Sequence, residues 1–155
     1  MRRQLLAAGA AAFLAGLAAA APAHAAWLGD CNDYASAGLI AEPWEQNTRT
    51  FYNGQVRVAV VDTNGEPVCC SSWLVVIFPD KDDELGGRTC MMLGSEEGLG
   101  FTGIDVKTIK SSYAAATGLT LTVPVKRLND DSSGQRTEVV TLKLDLRTSK
   151  LTIKP

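Results

Sequence analysis

The residues whose type and spacing bear most directly on chemistry are four cysteines, Cys31, Cys69, Cys70 and Cys90. An even number in an exported chain reads first as disulfides. Of the three possible pairings, Cys69 with Cys70 is the least favoured, because neighbouring Cα atoms sit about 3.8 Å apart whereas unstrained bridges span roughly 4.4–6.8 Å. Cys31 and Cys90 are therefore expected to divide the vicinal pair. On a strand, adjacent side chains point to opposite faces, so one cysteine can staple the N-terminal segment and the other the strand that carries Cys90. Each bridge adds roughly 2–4 kcal/mol by the chain-entropy account. Two rival chemistries compete for the same residues. Adjacent thiols can form a strained, easily reduced bond that serves as a redox or soft-metal site, although the two-residue spacer of dithiol redox motifs is missing. Four thiolates can hold zinc, but spacings of 38, 1 and 20 residues lack the paired close ligands of zinc ribbons.

Histidine is informative by its position. The one histidine of the chain, His24, falls in an N-terminal leader segment expected from its composition to be removed on export. Without an imidazole, the rest of the chain has no Ser-His-Asp or Cys-His nucleophile system and no His-ligated metal or haem. Carboxylate pairs, Lys-activated serines and thiols survive that test. The carboxylates gather in two loops, Asp80, Asp82, Asp83 and Glu84 in one and Asp130 and Asp131 in the other. The first lacks the alternating ligands and central glycine of an EF-hand, so a solvated loop is the expected reading. Glu96-Glu97, set between glycines, reads as plain surface, and a glycosidase pair would need two carboxylates facing across a cleft. Trp27 and Trp44, with Phe51 and Tyr52, form either an aromatic platform for a sugar or peptide or, as the favoured reading, caps on the ends of the fold. No catalytic, cofactor-binding or metal-ligating residue is therefore assigned.

The leader itself is read from Met1-Arg2-Arg3, a short positive segment, and the apolar run from Leu5 to Ala21. Pro22 ends the run, and Ala23-His24-Ala25 offers small residues where a signal peptidase needs them, which places the cut between Ala25 and Ala26. A permanent anchor would need about 20 strongly apolar residues, and this run is shorter, Ala-rich and interrupted by Gly9 and Gly16. Lipidation at Cys31 is disfavoured by Asp30. Arg2-Arg3 leaves Sec and twin-arginine export both open. Loss of Arg2 and Arg3 leaves 13 basic residues against 17 acidic ones, a net charge of −4. That balance disfavours nucleic acid and anionic lipid as partners.

These residues need elements to position them, and from residue 48 onward the pattern is strands and tight turns. Asn53-Gly54 and Asn64-Gly65 are turn dipeptides that divide residues 48–78 into a three-stranded meander. Trp73-Leu74-Val75-Val76-Ile77-Phe78 has no polar side, which marks a central strand covered on both faces. Leu119, Leu121, Val123 and Val125 alternate with polar residues, as do Val140, Leu142, Leu144 and Leu146, and Pro124 implies an edge or bulge. The expectation is an all-β domain over residues 26–155, a small antiparallel sandwich or open barrel of seven or eight strands. Residues 26–47 are expected to be an irregular arm held by Cys31, with a short helix over residues 32–37.

The segment from Glu45 through Phe51, continuing through Asp62-Thr63-Asn64-Gly65-Glu66 to Cys69-Cys70-Ser71, resembles small exported proteins of bacteria. The resemblance implies an extracytoplasmic location and carries no catalytic residue across. The functional expectation is a periplasmic or secreted, non-catalytic binding or structural domain, cofactor-free, for a protein, peptide or glycan partner. Its rivals are a disulfide-braced enzyme inhibitor presenting a loop such as residues 80–87, and an enzyme using thiols or carboxylates.

Overall fold

Turn chemistry sets the first sheet. Asn53 and Gly54 adopt φ of 54° and 80°, and the Gln55 amide donates to the Tyr52 carbonyl at 3.1 Å, closing a turn whose twist suits two antiparallel strands. The computed structural model describes residues 25–65 and 69–154, so most of the expected leader, His24 included, lies outside the described residues. The described chain forms ten strands: β1 (Trp27–Asp30), β2 (Thr48–Phe51), β3 (Val56–Asp62), β4 (Ser72–Pro79), β5 (Arg88–Gly94), β6 (Gly103–Ile104), β7 (Lys110–Ala114), β8 (Gly118–Leu128), β9 (Gln135–Asp145) and β10 (Lys150–Lys154). The excess over seven or eight comes from short pieces. β1 holds a glycine and an aspartate and β6 is two residues long, so neither carries a periodic signal.

Two open antiparallel sheets face one another as a sandwich. The first runs β1-β5-β4-β3-β2, and the second runs β10-β9-β8, with β6 and β7 both pairing along the far side of β8. Every pairing is antiparallel, which matches a chain that returns through short turns. The inner faces are the alternating positions: Val56, Val58 and Val60, then Leu74, Val76 and Phe78, meet Leu119, Leu121, Val123, Val125, Val140, Leu142 and Leu144. Each such side chain contributes roughly 1.5–3 kcal/mol by leaving water. Pro124 sits where β8 is briefly an edge: β7 pairs no further than Thr122 and β6 begins at Val125. A residue without an N–H is tolerated at such a gap.

The apolar run in β4 is covered on both faces, as its composition implies. Leu74, Val76 and Phe78 enter the main core, while Trp73 and Val75 form a second cluster with Val61 and Met92 on the outer face. The N-terminal arm supplies the cover for that cluster, through Trp27, Cys31, Ala35, Leu39 and Ile40. The arm is more regular than expected. It starts as edge strand β1 and, instead of one helix over residues 32–37, makes two 3-10 turns, Asp33–Ala35 and Ala37–Leu39. Asn32 and Ser36 cap them by accepting from the amides of Tyr34 and Gly38, and the extended backbone of Ser36 ends the first turn where the second begins. The arm then crosses to β3, where Ile40 bridges Val61 and the Ala41 amide donates to the Val60 carbonyl at 2.9 Å. A four-residue helix, α1 (Trp44–Asn47), leads into β2.

The edge between the sheets beside β2 is stitched by Arg49. Its guanidinium donates to the carbonyls of Val106, Lys107 and Ile109 at 3.2, 3.2 and 2.7 Å and lies 4.9 Å from the Phe51 ring centroid. One cation thereby satisfies the carbonyls at the end of the 3-10 turn Val106–Thr108.

Candidate functional site

All four cysteines are in disulfides, but the pairing corrects the sequence expectation: Cys31 bonds Cys90, and Cys69 bonds Cys70. The reason is register. Asp30 lies opposite Met91 on β5, so the next residue, Cys31, meets Cys90 with a Cα separation of 5.5 Å, inside the range of ordinary bridges. Cys90 in turn lies opposite Ile77. Ile77 is seven residues along the chain from Cys70, about 23 Å at strand rise, far beyond a disulfide's reach. The vicinal pair therefore has only itself to bond.

The turns gather at two ends of the sandwich, and each end collects a different group of side chains. At the first end, Cys69 is exposed and Cys70 is 6% exposed, just before β4. Both line a pocket of about 180 Å³, mostly apolar, together with Phe101, Arg127, Asp130 and Arg136. Gly100 closes one wall against the backbone: a Cβ there would lie 2.5 Å from the Cys70 carbonyl oxygen and 2.6 Å from that of Ser72.

The charged side chains of this end were missed in the sequence, although a signal was there. Extending the alternation of β8 one step past Val125 places Arg127 on the inner face, and running that of β9 back from Val140 does the same for Glu138 and Arg136. Arg127 and Arg136 are directly opposite in the register, a repulsive arrangement. Glu138 relieves it by placing Oε2 2.8 Å from Arg127 Nε and accepting from Arg136 Nε at 2.7 Å on Oε1. The Arg127 guanidinium sits 5.3 Å from the Phe101 ring centroid, and Arg136 also donates to the Leu128 carbonyl at 2.5 Å. Hydrogen bonding to Glu138 raises the Arg136 pKa above its ordinary value. A Glu138→Gln substitution is expected to cost about 2 kcal/mol in urea unfolding, less than a fully buried pair because Glu138 is partly exposed. An unchanged midpoint would mean that solvent already screens the two arginines.

The opposite end holds the turns at residues 52–55, 80–87, 115–117 and 146–149. In the acidic loop, the carboxylates expected to be solvated are also its internal braces. Asp80 Oδ1 accepts from the Asp82 amide at 2.9 Å and Asp83 Oδ1 from the Leu85 amide at 2.8 Å, while the Asp80 amide donates to the Gly87 carbonyl. Ser149 ties the loop to the neighbouring turn, accepting from the Lys81 amide and donating to the Pro79 carbonyl, both at 2.8 Å. Arg88 donates to the Gln55 carbonyl at 2.7 Å. The loop so braced carries Leu85 with 96% of its surface exposed. The other acidic loop is braced likewise: Asp131 accepts from Ser133, whose hydrogen bonds hold its carboxyl below the ordinary range, and Asp130 meets Arg136. Glu96 and Glu97 are exposed on a tight turn, as expected.

The four aromatic residues considered as a platform are not brought together. Trp27 lies on one edge strand of the first sheet, edge-on to Trp73 at 6.0 Å, while Trp44 precedes the opposite edge strand and Phe51 is buried. Tyr52 instead pairs with Tyr113, with ring centroids 5.0 Å apart, joining the two sheets at the loop end. Tyr52 holds a left-handed backbone, φ 49°, which for a bulky residue costs of the order of 1–3 kcal/mol and recurs at binding sites. Its hydrogen bond to Tyr113 raises the Tyr113 pKa above 10.0, with Arg147 close enough to oppose that rise. Arg147 pairs with Asp145 at 3.2 Å, and that hydrogen bonding holds the Asp145 carboxyl below its ordinary range. A phenol whose folded pKa is raised contributes stability that is present below the unfolded value and lost as pH rises through the folded one. Ultraviolet titration is therefore expected to show one tyrosine ionising above the ordinary phenol range, with Tyr52→Phe returning it toward that range; an unchanged curve would place the two rings apart in solution.

The expected cut between Ala25 and Ala26 lies just before β1, and Ala26 packs against the core. Among the described residues no helix is long and apolar enough to cross a membrane. Two disulfides and the absence of such a helix are compatible with an oxidising, extracytoplasmic location. Comparison of the chain with protein-family models, curated proteins and solved structures gave no match.

Proposed function

We propose that this protein is a periplasmic or secreted, non-catalytic binding module whose turn-braced end engages a protein or peptide partner, with a glycan as the alternative ligand. One observation carries the reading: an internally hydrogen-bonded loop displays a single, almost fully exposed leucine, Leu85, at the same end as the Tyr52–Tyr113 pair and Arg147. Tyrosine and arginine are enriched where proteins bind, because each combines a large contact area with a polar terminus. An ordered loop also loses little entropy on binding. Net charge argues against nucleic acid as the partner.

The same loop supports a second reading, an inhibitor that inserts Leu85 into an enzyme's pocket. The two differ in the partner's response. A photo-crosslinking residue at position 85, used in the native compartment, is expected to yield one discrete adduct. With that partner purified, Leu85→Asp and Tyr113→Ala are each expected to weaken binding by about tenfold or more. If the partner is an enzyme that loses activity on binding, the inhibitor reading holds. Adducts formed only from a control position on the outer face of β9, such as Val139, or affinity unchanged in both variants, overturn the proposal. Mass mapping of the N-terminus in the same preparation tests export: a chain beginning at Ala26 supports it, and one retaining Met1 inside the cell removes it.

A further inference from the structure

We propose that the Cys69–Cys70 disulfide, at the end of the sandwich away from Leu85 and the tyrosine pair, is a two-electron exchange centre that accepts reducing equivalents from an external dithiol. The two disulfides differ in what they can do for the fold. The Cys31–Cys90 bond closes a loop of 59 residues, so it removes much freedom from the unfolded chain. Cys69 and Cys70 are consecutive, so their bond closes only the smallest possible loop and restrains the unfolded chain only locally. The bond is thus a poor staple. It is also a ring that spans one peptide unit, with a Cα separation of 3.8 Å, shorter than the distances at which disulfides ordinarily form. Both properties belong to labile disulfides rather than structural ones.

Access is asymmetric. Cys69 is exposed, whereas Cys70 is only 6% exposed, with its carbonyl close to Gly100. An attacking sulfur therefore reaches Cys69 and expels Cys70. The segment that follows Cys70 is held firmly, with the Ser72 amide donating to the Phe101 carbonyl at 3.1 Å and the Phe101 amide returning a bond to Ser72 at 2.7 Å. Reduction thus frees the bond without releasing β4. The adjoining pocket, about 180 Å³ and walled by Phe101 and the arginine pair, gives room for the carbon skeleton of an incoming dithiol.

The exchange balances without any further reactant. A thiolate of the dithiol attacks Cys69 Sγ, the Cys69–Cys70 bond breaks, and Cys70 leaves as a thiolate, giving a mixed disulfide on Cys69. The second thiol of the donor, deprotonated, attacks the donor's first sulfur in that mixed disulfide and expels Cys69 as a thiolate. The donor ends as a disulfide, two electrons have passed to the protein, and the two cysteines take up the protons that the donor released. The reaction is independent of the binding proposed at the other end, about 26 Å away along β8.

The test uses the native oxidised protein with dithiothreitol as the probe, sampled over time by acid quench, alkylation and peptide mapping. Cys69 and Cys70 are expected to become alkylated together, at least about tenfold sooner than Cys31 and Cys90, with near-ultraviolet circular dichroism retained. Reduced glutathione, which has no second thiol, is expected to leave its adduct on Cys69. Reduction of all four cysteines in one phase, earlier reduction of Cys31–Cys90, an adduct on Cys70, or a pair that reacts only after unfolding would each overturn the proposal.

Discussion

Replacing Cys31 and Cys90 together by serine is expected to lower the unfolding free energy by about 4 kcal/mol, the chain-entropy value for a loop of 59 residues. The native geometry gives no reason for a discount, because the two Cα atoms are 5.5 Å apart and already aligned by the pairing of β1 with β5. The bond does more than shorten the unfolded chain. It pins the start of the arm, whose Ala35, Leu39 and Ile40 cover Trp73, Val75 and Met92 on the outer face of the first sheet. Equilibrium denaturation of the variant should show a lower midpoint and, since its unfolded state expands further, a steeper dependence on denaturant. A loss below about 1 kcal/mol would mean that β1 and the outer apolar cluster hold the arm unaided.

Trp73→Ala is expected to cost about 4 kcal/mol, within the range for truncating a buried aromatic side chain. Trp73 is 1% exposed and sits under the arm, with the Trp27 ring edge-on at 6.0 Å and Tyr34 at 5.9 Å. Gly94 lies against the Trp73 ring and the Leu99 carbonyl, where a side chain would not fit, so little nearby can collapse into the cavity. Hydrogen exchange should rise first in residues 27–41, while β8 and β9, which contribute no residue to the second cluster, keep their protection. Uniform loss across both sheets would make the two layers one cooperative unit. The two variants act on one arm, so their combined effect should fall short of the sum.

Much of the fold was legible locally. The run from Trp73 to Phe78 announced a strand buried on both faces because it has no polar side, and it occupies the middle of the first sheet. The alternation in residues 119–125 and 140–146 marked the two long strands of the second. Asn53-Gly54 marked a turn because both residues tolerate positive φ. The arm was legible only as a departure from that pattern. β1, with Gly29 and Asp30, has too little apolar character to look like a strand and becomes one only by lying along β5.

The functional groups divide along the same line. Chain chemistry alone determined a disulfide-bearing, histidine-poor β domain with a net acidic balance, and also the candidate loop at residues 80–87, since composition, turn residues and period-two patterning are local properties. Which cysteines bond was decided by tertiary structure, because a disulfide needs two Cα atoms within a few ångströms and only strand register brings Cys31 to Cys90 while leaving Cys69 and Cys70 to each other. The convergence of Arg127, Arg136 and Glu138, and the meeting of Tyr52 with Tyr113 across two sheets, were settled the same way. Each depends on which strands become neighbours, and neighbours in a β sandwich are chosen by the burial of whole faces rather than by the residues that finally touch.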